Sequence, residues 1–122
     1  MNDKIPIFPL PLVLLPGEKL PLHIFEAKYK KMIEYCLKHN QKFGIVNSRS
    51  NDTLSIGCTA EITQITAAEG DTGEYDILVT GVERFIVKSY NYSKDYKQAY
   101  VKTWQDIDAV SYTHLRAHET LP

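Results

Sequence analysis

Cysteine is nearly missing from this chain of 122 residues, with Cys36 and Cys58 the only two. They stand too far apart for a Cys-x-x-Cys pair and each falls within an apolar pattern, so a disulfide scaffold is excluded and a reducing compartment fits. No sign of charge dominates: 14 Lys and Arg against 15 Asp and Glu leave a formal net charge of -1. A phosphate-backbone partner requires a basic face, so nucleic acid is not expected. Long apolar runs are also absent, and none approaches the ~20 residues needed to cross a bilayer. Residues 5–15 imitate the apolar part of a signal peptide, but Asp3 precedes them, Pro6, Pro9 and Pro11 interrupt them, and no small-residue cleavage site follows. A cytoplasmic protein without membrane contact is the expectation.

Proline, by contrast, is plentiful in one place: five of the six prolines fall within residues 5–29, IPIFPLPLVLLPGEKLPLHIFEAKY. Each fixes φ and removes a backbone donor, so this segment predicts short, interrupted or edge strands with a turn at Pro16-Gly17. Strands are expected around residues 5–10 and 19–24. From Glu26 to His39, apolar Tyr29, Met32, Ile33, Cys36 and Leu37 recur at spacings of three and four, the mark of one helix face. Lys28, Lys30, Lys31, Glu34 and Lys38 fill the remainder as a solvated face, and Asn40 offers a left-handed C-cap.

Beyond the helix, residues 42–47 read as a strand and 48–52 as a polar turn. Near-alternation over residues 57–67 places Cys58, Ala60, Ile62 and Gln64 on one parity of a half-buried antiparallel strand. Residues 69–73, EGDTG, predict a hairpin turn into a partner strand at 74–80. Gly81 breaks that run at a bend or bulge, and 84–90 resumes it with Phe85 and Val87 on the parity opposite Arg84, Ile86 and Lys88. A polar, aromatic connection over 90–96 leads to a last strand at 98–104. Hydrophobic residues at 43% and charged residues at 24% are those of a globular domain. About six short strands and one helix predict a mainly β (α+β) fold, a compact barrel with the helix inserted after the second strand.

Three ordered motifs carry a family resemblance. The proline-rich opening with Pro16 and Gly17, the strand Ile56-Gly57-Cys58-Thr59-Ala60-Glu61-Ile62, and the run from Leu78 to Val87 containing Gly81 and Arg84 resemble, in order and spacing, the amino-terminal substrate-binding domain of Lon-type ATP-dependent proteases. The likeness covers residues 1–104. It implies a PUA-like small β-barrel whose helical C-terminal half is missing here, and a non-catalytic module linked to proteolysis. Its implied partners are unfolded or tagged polypeptides and an ATPase/protease ring in cis or trans. The alternatives are the amino-terminal fragment of a full ATP-dependent Lon serine protease and an RNA-binding PUA-like module.

The chain itself is not expected to be an enzyme. It lacks a G-x-x-x-x-G-K-[ST] motif to cradle ATP phosphates, and no apolar pocket sequence surrounds a Ser-Lys nucleophile, so neither catalytic residues nor cofactors are expected. Peptide binding would use Leu12, Leu14 and Phe25 beside an exposed strand edge. Pro16, Gly17, Gly57, Gly81 and Arg84 are structural, with Arg84 tying the barrel together. His23 and His39 are also read as structural, and Glu61 and Glu74 as facing each other near the hairpin. Tyr90, Tyr92, Tyr96, Tyr100 and Trp104 read as packing positions, since base stacking would need a basic surround.

The end of the chain is of a different kind. Residues 110–120, VSYTHLRAHET, are similar to the conceptual translation of a transposase sequencing adapter. Residues 1–108 are therefore expected to be a truncated domain and 109–122 a non-native tail. His114 and His118 have the spacing of a metal half-site but fall in that tail, so no metal site is expected.

Overall fold

The computed structural model describes residues 3–49, 55–67 and 73–103. The elements run β1 (Asp3–Leu10), β2 (Lys19–Ile24), α1 (Ala27–His39), β3 (Phe43–Asn47), β4 (Ile56–Ala67), β5 (Tyr75–Asn91) and β6 (Gln98–Thr103). The strands form one sheet in the order β2-β5-β4-β3-β1-β6, and β6 also pairs with β5. The pairing therefore returns on itself through five strands, while β2 hangs on the first half of β5. β1 lies parallel to β3, and every other pair is antiparallel.

The prolines act as their chemistry requires. Between β1 and β2, Glu18 N–H donates to Leu15 C=O at 3.0 Å, closing a turn with Pro16 at its second position and Gly17 at its third. Gly17 has φ +83°, a conformation L side chains rarely adopt, which a type II turn demands at that position. The turn is anchored on β5: Gly17 N–H donates to Gly81 C=O and Gly81 N–H to Glu18 C=O, each at 2.8 Å.

β5 is one strand of 17 residues that passes through Gly81 without a break, where two strands were predicted. The glycine marks a register shift, since β4 slips between Cys58 and Ala60 opposite Gly81. Buried Thr59 fills that irregularity: its hydroxyl donates to Glu83 C=O at 3.2 Å and accepts from Glu83 N–H at 3.1 Å. A side-chain hydroxyl thus replaces ladder bonds lost at the bulge.

α1 packs Met32, Ile33 and Cys36 against the sheet and ends at Asn40, whose φ of 50° is the predicted left-handed cap. Leu37, expected on the apolar face, is 47% exposed. At 3.6 residues per turn it stands roughly 90° from the centre of the Tyr29, Met32, Ile33 and Cys36 stripe, so it falls on the flank. Part of the helix's polar face is also engaged. Lys31 Nζ lies 2.8 Å from Asp95 Oδ2, and the Tyr75 hydroxyl donates to Glu34 Oε2 at 2.9 Å.

Two cores result. The larger lies under α1 and joins Phe8, Leu14, Ile24, Phe43, Ile45, Ile77 and Val79 to the helix, with Tyr96 closing one side. The smaller fills the ring of strands with Ile5, Ile7, Val46, Phe85, Val87, Ala99 and Val101. Along β4, Cys58 and Ala60 are buried and Ile62 half-buried as their shared parity requires, while Thr59, on the other parity, is buried too where it fills the bulge. From Thr63 to Ala67 the strand is exposed throughout, Gln64 included, because this arm extends past the helix-side core. The predicted hairpin turn lies mostly outside the described residues, although the pairing of Ala67 with Tyr75 joins the strands on either side of it. Trp104, His114, His118 and the adapter-like segment also lie outside the described residues.

Candidate functional site

Among the described residues β2 pairs only with β5, so its other edge is open. β1 pairs with β6 over residues 3–6 and with β3 over residues 7–10, so β6 leaves the end of β1 uncovered on one side. Between these edges lies a groove of about 290 Å³, lined by Phe8, Pro9 and Leu10 from β1, Leu22, His23 and Ile24 from β2, and Phe25, Glu26 and Tyr29 at the start of α1.

Its floor is aromatic and aliphatic. Phe8 and Tyr29 stack with ring centroids 4.3 Å apart, while Leu10, Leu22 and Tyr29 are only partly buried and keep apolar surface toward the opening. Phe25 stands on the lip at 59% exposure, with its ring 6.0 Å from that of His23. A shallow apolar trough with an aromatic lip can seat a bulky side chain, and open strand edges beside it can pair with an extended backbone.

His23 joins β2 to the start of β5. Its Nδ1 lies 2.8 Å from Asp76 Oδ1 and its Nε2 2.7 Å from Glu74 Oε1. A neutral imidazole has one N–H, so both bonds are donated together only by the imidazolium. The hydrogen bond to Asp76 and then that to Glu74 hold the imidazole above its ordinary value of 6.5, against an opposing desolvation. The contribution to stability is therefore full below the unfolded pKa and fades as pH rises through the raised folded pKa. Thermal melts from about pH 5 to 8 are expected to show the wild type most favoured over His23→Gln at the acid end, converging as pH rises. A gap independent of pH would remove the ionic clasp from this account.

Of the three residues expected to bind peptide, the structure brings only Phe25 to the groove. Leu14 is 4% exposed and packs in the helix-side core, so its side chain cannot meet a ligand. Leu12 is partly buried against the same core. Leu10, Leu22 and Tyr29 line the groove but read in the sequence as core, as apolar residues on strands and helix faces do. Leu10 and Leu22 stand next to prolines that blunt the strands, and Tyr29 carries no such signal.

Glu61 and Glu74 do not face each other. Glu61 pairs with Thr80 across the β4–β5 ladder, and Glu74 reaches His23 instead. The described tyrosines are dispersed: Tyr96 is buried, and Tyr90 packs against the smaller core with its ring 6.2 Å from that of exposed Tyr92. Arg84 is partly buried on β5 opposite Cys58. The two thiols are buried, and desolvation pushes Cys36 up to about 12 and raises Cys58 as well, so both are held protonated.

Comparison with known proteins agrees with this architecture. The family described as the ATP-dependent protease La (LON) substrate-binding domain matches residues 4–121. The chain is 28% identical over 116 residues to Lon protease of Porphyromonas gingivalis, covering 88% of this chain and 14% of that protein. It is 31% identical over 108 residues to Lon protease of Buchnera aphidicola, covering 81% of this chain and again 14% of the relative. The chain thus spans about one seventh of the length of these curated relatives. Among solved structures, a Lon N-terminal domain protein from Xanthomonas campestris superposes with a TM-score of 0.69 at 24% identity, over 83% of this chain and 59% of that one. The N-terminal domain of Mycobacterium avium complex Lon protease does so at 0.66 and 17% identity, over 83% and 54%.

Proposed function

Since the chain belongs to the ATP-dependent protease La (LON) substrate-binding domain family, we propose that it captures polypeptides in extended form on the groove between β1 and β2. The observation that carries this reading is the partly buried apolar floor beside two strand edges that pair with no strand among the described residues, with Phe25 raised at its lip. An unfolded chain offers what such a site uses: bulky side chains for the floor and a free backbone for the edge. Backbone pairing is tolerant of sequence, which suits a module that meets many substrates.

The work proposed for this chain is binding. ATP hydrolysis and peptide cleavage would belong to other modules, in the same polypeptide or in a partner ring. The described residues contain no helix long and apolar enough to cross a membrane.

Titration of a fluorescently labelled unfolded casein with the full chain tests the reading. Binding at tens of micromolar, corresponding to only about 6 kcal/mol, is expected. Phe25→Ser should weaken it about tenfold, as loss of an aromatic anchor does, while changing folding stability by no more than about 0.5 kcal/mol because the side chain is largely exposed. No binding at that concentration, or binding indifferent to Phe25, would sink the proposal.

A further inference from the structure

The two edges that border the groove differ from ordinary strand edges in what they offer a ligand. Backbone groups point alternately to either side along a strand. Leu10 C=O accepts from Ser48 N–H beside β3, and Ile7 N–H donates to Lys97 C=O on the opposite side. The odd residues of β1 therefore face the open side, and the next after Ile7 is Pro9. On β2, Glu18 C=O accepts from Gly81 N–H, so even residues face β5 and Lys19, Pro21 and His23 face outward. Proline supplies a carbonyl and no N–H. Pro9 and Pro21 thus leave both edges richer in acceptors than in donors.

The charges around the opening lean the same way. At the His23 end stand Glu74 and Asp76 of the β5 side, and at the helix end stands Glu26, whose Oε2 is 4.0 Å from Lys28 Nζ. Lys28 itself lies over the Tyr29 ring. Farther along α1, Glu34 is bonded to the Tyr75 hydroxyl and Lys30 reaches the neighbourhood of Gly73. Lys19 stands exposed on the outward edge of β2, so the four carboxylates Glu26, Glu34, Glu74 and Asp76 exceed the lysines Lys19, Lys28 and Lys30 by one, and the imidazole between two of them offsets that excess only while it is protonated.

From these two features we infer that the groove selects extended segments in which a bulky apolar side chain is followed by a basic one, arginine above all. The inference rests on the polypeptide-binding role proposed above and adds a partner chemistry to it. The apolar side chain seats on Leu10, Leu22 and Tyr29. The guanidinium brings five donors and no acceptor to an edge of unmatched carbonyls and to the carboxylates beside His23. The His23 proton and the ligand's cation compete for the same two carboxylates, so the preference for the basic residue grows as pH rises and that proton leaves.

Two labelled synthetic peptides, identical in length and differing only in Phe-Arg against Phe-Gln at the centre, titrated with the full chain, test the inference. At about pH 8 and low salt the Phe-Arg peptide is expected to bind about threefold to fivefold tighter, the size of a partly exposed charge contact. The ratio should shrink at about pH 5.5 and with added salt. In the double variant Glu74→Gln, Asp76→Asn the ratio should fall to about one while Phe-Gln affinity is retained. Equal binding of both peptides to the wild type would overturn the basic preference and leave the binding role standing. Binding of neither would overturn both. Loss of Phe-Gln binding in the double variant would assign the carboxylates to holding β2 in place rather than to selecting the ligand, and would equally overturn the inference.

Discussion

Phe85→Ala is expected to cost about 3–5 kcal/mol, the range for removing a buried aromatic ring from a core that cannot collapse around the gap. Phe85 has no exposed surface and is the largest side chain of the smaller core. Two facing strands have given up side chains to admit its ring: a Cβ on Gly44 would lie 2.6 Å from Phe85 Cζ, and one on Gly57 would lie 2.5 Å from the same atom. Those positions cannot refill the space, because they have nothing to extend. Domains of this size are stable by about 5–15 kcal/mol, toward the lower end when small, so the loss takes a large share of the total. A urea melt should show the midpoint displaced strongly with little change in slope.

The converse substitution sharpens the test. Gly44→Ala meets only side-chain atoms, Phe85 Cζ and Cε2 and Ile5 Cδ1, so it should cost about 1–3 kcal/mol in the wild type and much less when combined with Phe85→Leu. Strict additivity of the two changes would show that the ring and the glycine are not complementary, and the packing account of the ring core would fail.

Much of this arrangement is legible in the amino-acid order, and what is not has a common physical cause. The helix face, its Asn40 cap and the start of β2 follow from local chemistry: a repeat of three and four, one left-handed residue, and the Pro16-Gly17 turn just ahead of the strand. Leu37 and Gln64 were misplaced because periodicity describes an element and not the extent of what covers it. The core ends short of Leu37 on one flank of α1 and short of Gln64 along β4.

The candidate site shows the same limit more sharply. His23 meets Glu74 and Asp76 across sequence separations of 51 and 53 residues, through a β2–β5 register that no local pattern encodes. Leu14 and Leu22 both belong to apolar runs beside prolines. One is core because it lies against Gly81, and the other opens on a groove because β1 happens to end opposite β2. Pro9 and Pro21 were each visible as strand interruptions. That Pro9 lines the trough and Pro21 immediately precedes its Leu22 wall depends on the parallel pairing of β1 with β3, which carries β1 around the ring.

Gly81→Ala is expected to cost about 2–4 kcal/mol and to cripple the groove as well as the fold, combining overpacking with the loss of two backbone hydrogen bonds. A Cβ at this position would stand 2.3 Å from Leu15 C=O and 3.0 Å from its carbonyl carbon, so the obstacle is backbone and no rotamer change removes it. The turn must lift, taking with it the bonds from Gly17 N–H to Gly81 C=O and from Gly81 N–H to Glu18 C=O. Those bonds set β2 against β5, and β2 supplies one wall of the groove, so polypeptide binding should weaken even at temperatures where the variant remains folded. Gly17→Ala is the comparison that isolates the cause. Gly17 has a positive φ but nothing within 4 Å of its would-be Cβ, so its substitution carries only the conformational cost of about 1 kcal/mol. Unlike Gly44→Ala, the Gly81 change should find no rescue in trimming a neighbouring side chain, Leu14→Ala included. Equal melting shifts for the Gly81 and Gly17 variants, or recovery of Gly81→Ala by a smaller residue at position 14, would mean that the strand tolerates a side chain there and that the turn is not what holds β2 in register.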